Sequence, residues 1–389
     1  ISCDEMLELA SLGAAVLHPR AVEIARNYGV KLIVKSSLSD EDGTTLTSQN
    51  GKPLGRHGLE LGKSVDGLEL IENQVVLGLS HLPDQPGIAA DLFETLSEGK
   101  VNVDLIIQST HEGNSNDITF TVSKEDLFKA KNLCENTIQR LGGKISIQEN
   151  MTKLSIRGAG IMGRPGITAK LFDTLFRVGV NLRLIATSEV KVSCVIDAKF
   201  GNKALRALGE AFELNERQIQ SNSSTIISGE PEVRGVAMDP YQAQISVCMI
   251  PDKPGTAASL FSTLADAGIS VDAIVQSERK HPDGSRDISF TLKKEDRLNA
   301  DKALAPYLSQ WPGAKLKDGP PITRISAVGA GMATTAGTAG RMFRALANEN
   351  INIEMIATSE IRTSCVVAQP DGIKALKAVH DYFNLGGTQ

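Results

Sequence analysis

Four short apolar runs recur along the chain: LGLSHL (77–82), LSIRGA (154–159), ISVCMI (245–250) and RISAVG (324–329). Each leads through a glycine-containing loop into a stretch whose apolar residues keep helical spacing, as Ala89, Leu92, Phe93 and Leu96 do. A Pro or Gly just before each stretch marks a helix start. A second apolar run follows (VDLIIQS, LRLIATS, VDAIVQS, IEMIATS), then a turn, then a third (DITFTV, VSCVID, DISFTL, TSCVVA), then a second amphipathic helix. The order is β-α-β-β-α, closed by a short last strand such as KISIQE.

The pattern is a duplication of a duplication. VVLGLSHLPDQPGIAADLFETL returns as AQISVCMIPDKPGTAASLFSTL, matching Asp84 with Asp252, Pro86 with Pro254 and Gly87 with Gly255 at a shift of 168. Farther on, Gly158, Asn181 and Ser188 match Gly329, Asn352 and Ser359 at a shift of 171. Each copy is itself double, since Gly87, Phe93 and Asn102 align with Gly166, Phe172 and Asn181. The expected architecture is α+β: four ferredoxin-like βαββαβ modules in two tandem pairs, at 65–149, 150–229, 233–318 and 319–389. The strands around Leu68 and Val236 are repeated too, which predicts strand exchange between neighbouring modules. The first 60 residues stay outside the repeat and read as helix, loop, helix and buried strand, an α/β fragment.

Composition narrows the function. A 41% apolar and 22% charged chain with a net charge of −5 gives no electrostatic reason to expect nucleic acid or an acidic membrane surface. No run of 18 apolar residues occurs and the N-terminus has no signal-peptide pattern. Five scattered cysteines without a CxxC pair fit a reducing, cytoplasmic setting. The chain opens at Ile1 without Met, which reads as a fragment or a processed piece.

The string ISCDEMLELASLGAAVLHPRAVEIARNYGVKLIVKSS resembles the C-terminal part of the aspartate kinase catalytic domain, and the DxPG, GVNLRLIATSE and NINIEMIATSE motifs resemble that family's ACT domains. The resemblance covers essentially the whole chain, and its two regulatory copies resemble the arrangement in cyanobacterial-type enzymes. It implies that residues 1–60 end an amino-acid kinase domain. It also implies ATP-dependent phosphorylation of aspartate by the parent enzyme, with ATP and Mg, and feedback inhibition by lysine or threonine bound at ACT interfaces. The family's KFGG-type motif is missing from the sequence, so the chain alone is expected to be inactive and no catalytic residue is assigned. A homodimer or higher oligomer is expected. The alternative is a non-catalytic amino-acid-binding module acting through another partner.

A free amino acid needs donors for its carboxylate, an acceptor for its ammonium and a selective wall. Gly87, Ile88 and Ala89, like Gly255, Thr256 and Ala257, stand at helix starts where unpaired N–H groups favour an anion. Asp84 and Asp252 supply acceptors, although the same residues also read as plain helix caps. The family resemblance places the effector between two modules, so the second module is expected to contribute Asn181 and Leu182 facing Gln108, and Asn352 and Ile353 facing Gln276. Arg183 in one copy stands where Glu354 stands in the other. Threonine is therefore expected at the Asp84 site or at both sites, and lysine near Met332, Glu354, Ser359 and Glu360.

Gly158, Gly160 and Gly163 spell a dinucleotide fingerprint, but the helix begins beyond Pro165, the acidic residue expected about 20 residues on is missing, and the other copy has Thr334 for the third glycine. The six histidines lack metal-ligand spacing, and Cys194 and Cys365 read as core. No metal is expected, and no cofactor in this chain.

Overall fold

The computed structural model describes residues 1–14, 16–48, 64–111, 115–159, 161, 164, 166–221, 231–276, 281–333 and 335–386. Helix α1 (Cys3–Leu9) opens on a capping box in which Ser2 and Glu5 satisfy each other's backbone N–H groups. Helix α2 (Pro19–Tyr28) starts on a Pro and ends at Gly29 in the left-handed region. Strand β1 (Leu32–Val34) pairs with β2 (Thr44–Leu46). The sequence predicts a buried β1, yet Ile33 is 54% exposed, because among the described residues β2 is its sole strand neighbour and covers only one edge. The remainder of the 1–60 segment, from residue 49 and including His57, lies outside the described residues.

Strand β3 (Gly67–Pro83) is 17 residues long, far more than one small module needs. It is followed by α3 (Ile88–Glu98), β4 (Val103–His111), β5 (Ser115–Ser123), α4 (Leu127–Leu141) and the 14-residue β6 (Lys144–Arg157). β3 and β6 run antiparallel and each serves two modules: Gln74–Pro83 pairs with β5, while Gly67–Ile71 pairs with the far half of β6. The changeover is marked by Asn73 and Asn150, both at positive φ, where Asn is among the residues that tolerate the left-handed region. Module 2 is completed by α5 (Ile167–Arg177), β7 (Leu184–Thr187), β8 (Lys191–Asp197), α6 (Gly201–Ala211) and β9 (Ile219–Ser221). The boundary read at 149/150 thus falls inside a strand.

The second copy has the same plan with breaks in the strands. β10 (Gly235–Asp239) and β11 (Gln242–Pro251) are separated at Pro240, and β14 (Lys315–Asp318) and β15 (Ile322–Val328) at Pro320 and Pro321. Between them lie α7 (Thr256–Asp266), β12 (Val271–Gln276), β13 (Ser285–Lys293) and α8 (Arg297–Leu308). Module 4 continues with α9 (Thr338–Asn348), β16 (Met355–Ser359), β17 (Arg362–Ala368) and α10 (Gly372–Tyr382). β10 pairs with β15, so the expected strand exchange is present in both copies.

The modules partner across the two copies. β16 of module 4 pairs with β4 of module 1, joining them in one sheet, and α3 and α9 meet through Phe93 and Phe343 at 5.5 Å. Modules 2 and 3 share a second core in which Phe172 of α5 and Phe261 of α7 lie 5.4 Å apart. The reverse faces of both pairs meet in a third cluster, with Ile107, Ala186, Val275 and Ala357 drawn from the four modules. The expectation that Asn181 faces Gln108 and Asn352 faces Gln276 is corrected by this arrangement. Modules 1 and 2 are locked side by side through β3 and β6, leaving the β4 and β7 sides open to the other copy.

Candidate functional site

At the module 1/4 seam, β3 ends in the loop Asp84–Gly87, and Gly87 (φ +98°) caps α3 without any side-chain hydrogen bond. The Ile88 N–H donates to the Gln85 carbonyl at 3.5 Å, and the next first-turn amide, at Ala89, is presented to the loop as an anion-favouring donor. Asp84 Oδ1 accepts from Asn116 Nδ2 and from Asn352 Nδ2, each at 2.8 Å. Gln108 Nε2 donates to the Ile353 carbonyl at 2.7 Å in a fully buried contact. Glu354 is half-buried beside them, and burial together with the Asp84 charge raises its carboxyl above the usual range. The site is acidic, and it is assembled from both modules.

The module 2/3 seam repeats the plan with different chemistry. Gly255 (φ +95°) caps α7, and Asn181 Nδ2 donates to Asp252 Oδ1 at 3.3 Å. Leu182, Thr256, Ala257 and Gln276 line a cavity of about 20 Å³, little more than one water needs. Thr256 Oγ1 and Gln276 Oε1 are buried there without a hydrogen-bond partner among the described residues. Asp252 forms a buried ion pair with Arg286 at 2.9 Å. Gln276 thus joins Asn181, and Gln108 joins Asn352.

The group expected to select lysine is divided. Glu354 belongs to the Asp84 site, whereas Met332, Ser359 and Glu360 line a cleft of about 660 Å³ between modules 1, 2, 4 and the N-terminal segment. The cleft also presents Asp104 and the uncapped start of α9 at Gly337 and Thr338. Ser359 Oγ is buried without a hydrogen-bond partner among the described residues. Glu360 is already engaged by Lys191 (2.5 Å) and Lys153 (3.4 Å); burial opposes its ionisation, but the two ammonium groups pull its carboxyl down to about 2.

A buried charge cluster ties α1 to three modules. Arg362 donates to Glu8 Oε2 at 2.9 Å and to the Thr187 carbonyl at 2.8 Å, and the Glu189 N–H donates to Glu8 Oε1 at 3.0 Å. Arg324 pairs with Asp272 and, at 3.2 Å, with Asp239. The Ala330 N–H donates to Glu5 at 2.8 Å. Sequence reading missed this cluster, and it also missed Asn116 and Arg286. Those two occupy equivalent places, opposite Leu82 and Ile250, so a comparison of where the two copies differ would have flagged them.

The glycine fingerprint has a packing explanation. A Cβ on Gly158 would lie 2.1 Å from the Ser64 carbonyl oxygen, and one on Gly329 would lie 2.3 Å from that of Glu232, so both glycines admit a crossing backbone. Gly160, Gly163, Pro165 and Thr334 lie outside the described residues. Cys194 and Cys365 are fully buried, their thiols pushed up by desolvation. Among the described residues, no group of three or more His, Cys, Asp or Glu is placed to hold a metal, and no helix is long and apolar enough to cross a membrane.

An ACT-domain model matches residues 80–137, 154–212 and 325–383, and a second ACT-domain model matches 243–306. The crystal structure of aspartate kinase from Synechocystis is similar over 100% of this chain and 68% of that one, with 48% identity and a TM-score of 0.90. The aspartokinase of Thermus thermophilus is 40% identical over 218 residues, 56% of this chain and 52% of that protein. That of Bacillus sp. strain MGA3 is 36% identical over 222 residues, 57% and 52% of the respective chains. The chain spans about half the length of these curated relatives. Its sequence, its four paired modules and these similarities establish that the chain belongs to the aspartate kinase family and carries ACT domains.

Proposed function

We propose that this region senses end-product amino acids and feedback-inhibits the parent enzyme's ATP-dependent phosphorylation of L-aspartate to 4-phospho-L-aspartate. The carrying observation is that Asp84 is held by amides from two different modules, Asn116 and Asn352, beside the uncapped start of α3. A ligand whose carboxylate meets the α3 amides and whose ammonium meets Asp84 is held by module 1 and reaches module 4 through Asn352, which shares Asp84. Threonine fits this site, because its hydroxyl needs only a short polar partner. Lysine is assigned to the cleft at Met332, where the start of α9 shares the cavity with Asp104, a carboxylate that Lys153 already engages. No residue of this chain is assigned to ATP or its Mg ion. Effector binding at the seam is transmitted to α1 through Glu5 and Glu8, which are hydrogen-bonded directly to modules 2 and 4. A coupling of about 1–3 kcal/mol per effector is the usual scale.

Isothermal titration calorimetry of the chain with threonine and lysine, singly and in pairs, tests this reading. Saturable threonine binding whose tighter phase is lost in Asp84→Ala, with lysine binding retained, is the expected result. No binding of either amino acid, or threonine binding indifferent to Asp84, overturns it. Sedimentation run alongside reads the oligomeric state, where a dimer or larger assembly is expected.

A further inference from the structure

The two seams look like copies of one site, but their carboxylates are in opposite electrostatic states. Asp84 is met by two neutral amides, and its carboxylate neighbour Glu354 adds negative charge. Asp252 is met by one amide at 3.3 Å and by the guanidinium of Arg286, the Asp and Arg side chains being 6% and 3% exposed. The substitution is positional: Asn116 lies opposite Leu82 in the β3/β5 ladder, and Arg286 lies opposite Ile250 in the β11/β13 ladder. A second difference concerns space. A Cβ built on Gly87 finds Ala347 at 3.9 Å, whereas one built on Gly255 finds the Phe176 ring at 2.7 Å. Ala347 and Phe176 are the same residue of the repeat.

We propose that Arg286, assisted by Phe176, makes the Asp252 pocket the low-affinity member of the pair, so that the chain presents one tight and one weak amino-acid site of the same plan. The inference rests on the reading that amino-acid effectors bind at these seams. An incoming ammonium at Asp252 meets a carboxylate already neutralised by a buried cation, and it is placed next to that cation in a site screened from water. At Asp84 the ammonium meets a carboxylate that, among the described residues, is hydrogen-bonded by neutral amides. The carboxylate is less affected, since both helices offer the same uncapped amides. Phe176 adds to the difference by covering the helix start where the ligand carboxylate belongs. Thr256 and Gln276 retain unpartnered polar atoms in the pocket, which supports a weak site over a purely structural seam.

The test is threonine calorimetry on the 389-residue chain. In an Asp84→Ala background, Arg286→Asn is expected to tighten threonine binding by about tenfold or more, the factor for removing one buried like-charge contact. Adding Asp252→Ala should abolish that gain. The reciprocal variant Asn116→Arg, in the otherwise native chain, is expected to weaken the tight site by a similar factor, which keeps the proposal testable if Arg286→Asn folds poorly. Thermal unfolding of each variant separates loss of fold from loss of binding. If the native chain binds threonine through Asp84 but neither exchange shifts affinity, the assignment to Arg286 is overturned while the effector reading stands. If Asp84→Ala leaves threonine binding unchanged, the effector reading fails and this inference falls with it.

Discussion

Replacing Arg362 by Met tests whether the cluster beneath α1 holds the N-terminal segment to the sensing modules. Arg362 is 1% exposed and Glu8 is 0% exposed, so neither charge has water to fall back on. Burial raises the Glu8 carboxyl, and the Arg362 guanidinium opposes that shift. Arg362→Met removes two hydrogen bonds, to Glu8 and to the Thr187 carbonyl, and leaves a desolvated acid near Asp272. The expected loss is about 3–5 kcal/mol, the scale for breaking a buried pair from one side. Replacing both residues, Arg362→Met with Glu8→Met, removes the stranded charge and should cost much less than the sum of the singles. The coupling should reach about 2–3 kcal/mol. Urea unfolding followed by far-ultraviolet circular dichroism on the native chain, both singles and the double gives the cycle. Additivity within about 0.5 kcal/mol, or a single-variant cost below about 1 kcal/mol, would refute the reasoning.

Three further outcomes follow from the same physics. Burial, then the charges of Asp272 and Glu8, raise Glu189 to about 8 from an ordinary 4.5, so its contribution to stability is full below 4.5 and is lost as pH rises through about 8. Thermal melts between those pH values should show a smaller decline in Glu189→Gln than in the native chain. Glu360 behaves in the opposite sense: held at about 2 by Lys191 and Lys153, it contributes stability above 4.5 that is lost as pH falls through 2, and Glu360→Gln should abolish that part of the acid sensitivity. Phe93 sits edge-on to both Phe120 and Phe343 at 5.5 Å, so Phe93→Ala should cost about 3–5 kcal/mol in urea unfolding and weaken threonine binding at the module 1/4 seam.

The order β-α-β-β-α in each module, the two tandem copies and the exchanged strands were legible in the sequence because they rest on local periodicity and self-similarity. The helix starts at Gly87 and Gly255 were legible for the same reason, since a glycine after Pro that precedes an apolar-periodic stretch specifies a local turn. Which modules partner was not legible. That choice depends on β3 and β6 running unbroken through two modules, so that Asn73 and Asn150 carry the chain from one sheet region into the next and the free sides are left for the distant copy. The expectation that Asn181 faces Gln108 failed at that point: it assumes that sequence neighbours are partners, whereas β16 meets β4 across 245 residues between Gln108 and Ile353.

Residue types alone named the acids and amides of the sites, but only tertiary structure assigned them to separate places. Glu354 and Glu360 are six positions apart in sequence, yet one adds negative charge to the Asp84 site while the other is consumed by Lys153 and Lys191. Strand β16 (Met355–Ser359) lies between them and Glu360 stands in the turn that follows, so the two carboxylates sit at opposite ends of the strand and serve different cavities. Arg286 and Asn116 stand in the sequence just before the third apolar runs DISFTL and DITFTV, outside any expected strand; the ladder opposite Ile250 and Leu82 turns them toward the two aspartates. What the sequence by itself determined is the repeated module and its loop chemistry, because those arise from interactions within a few residues. What the tertiary structure decided is the partnering of modules and the charge state of each seam, because burial and long-range pairing set both.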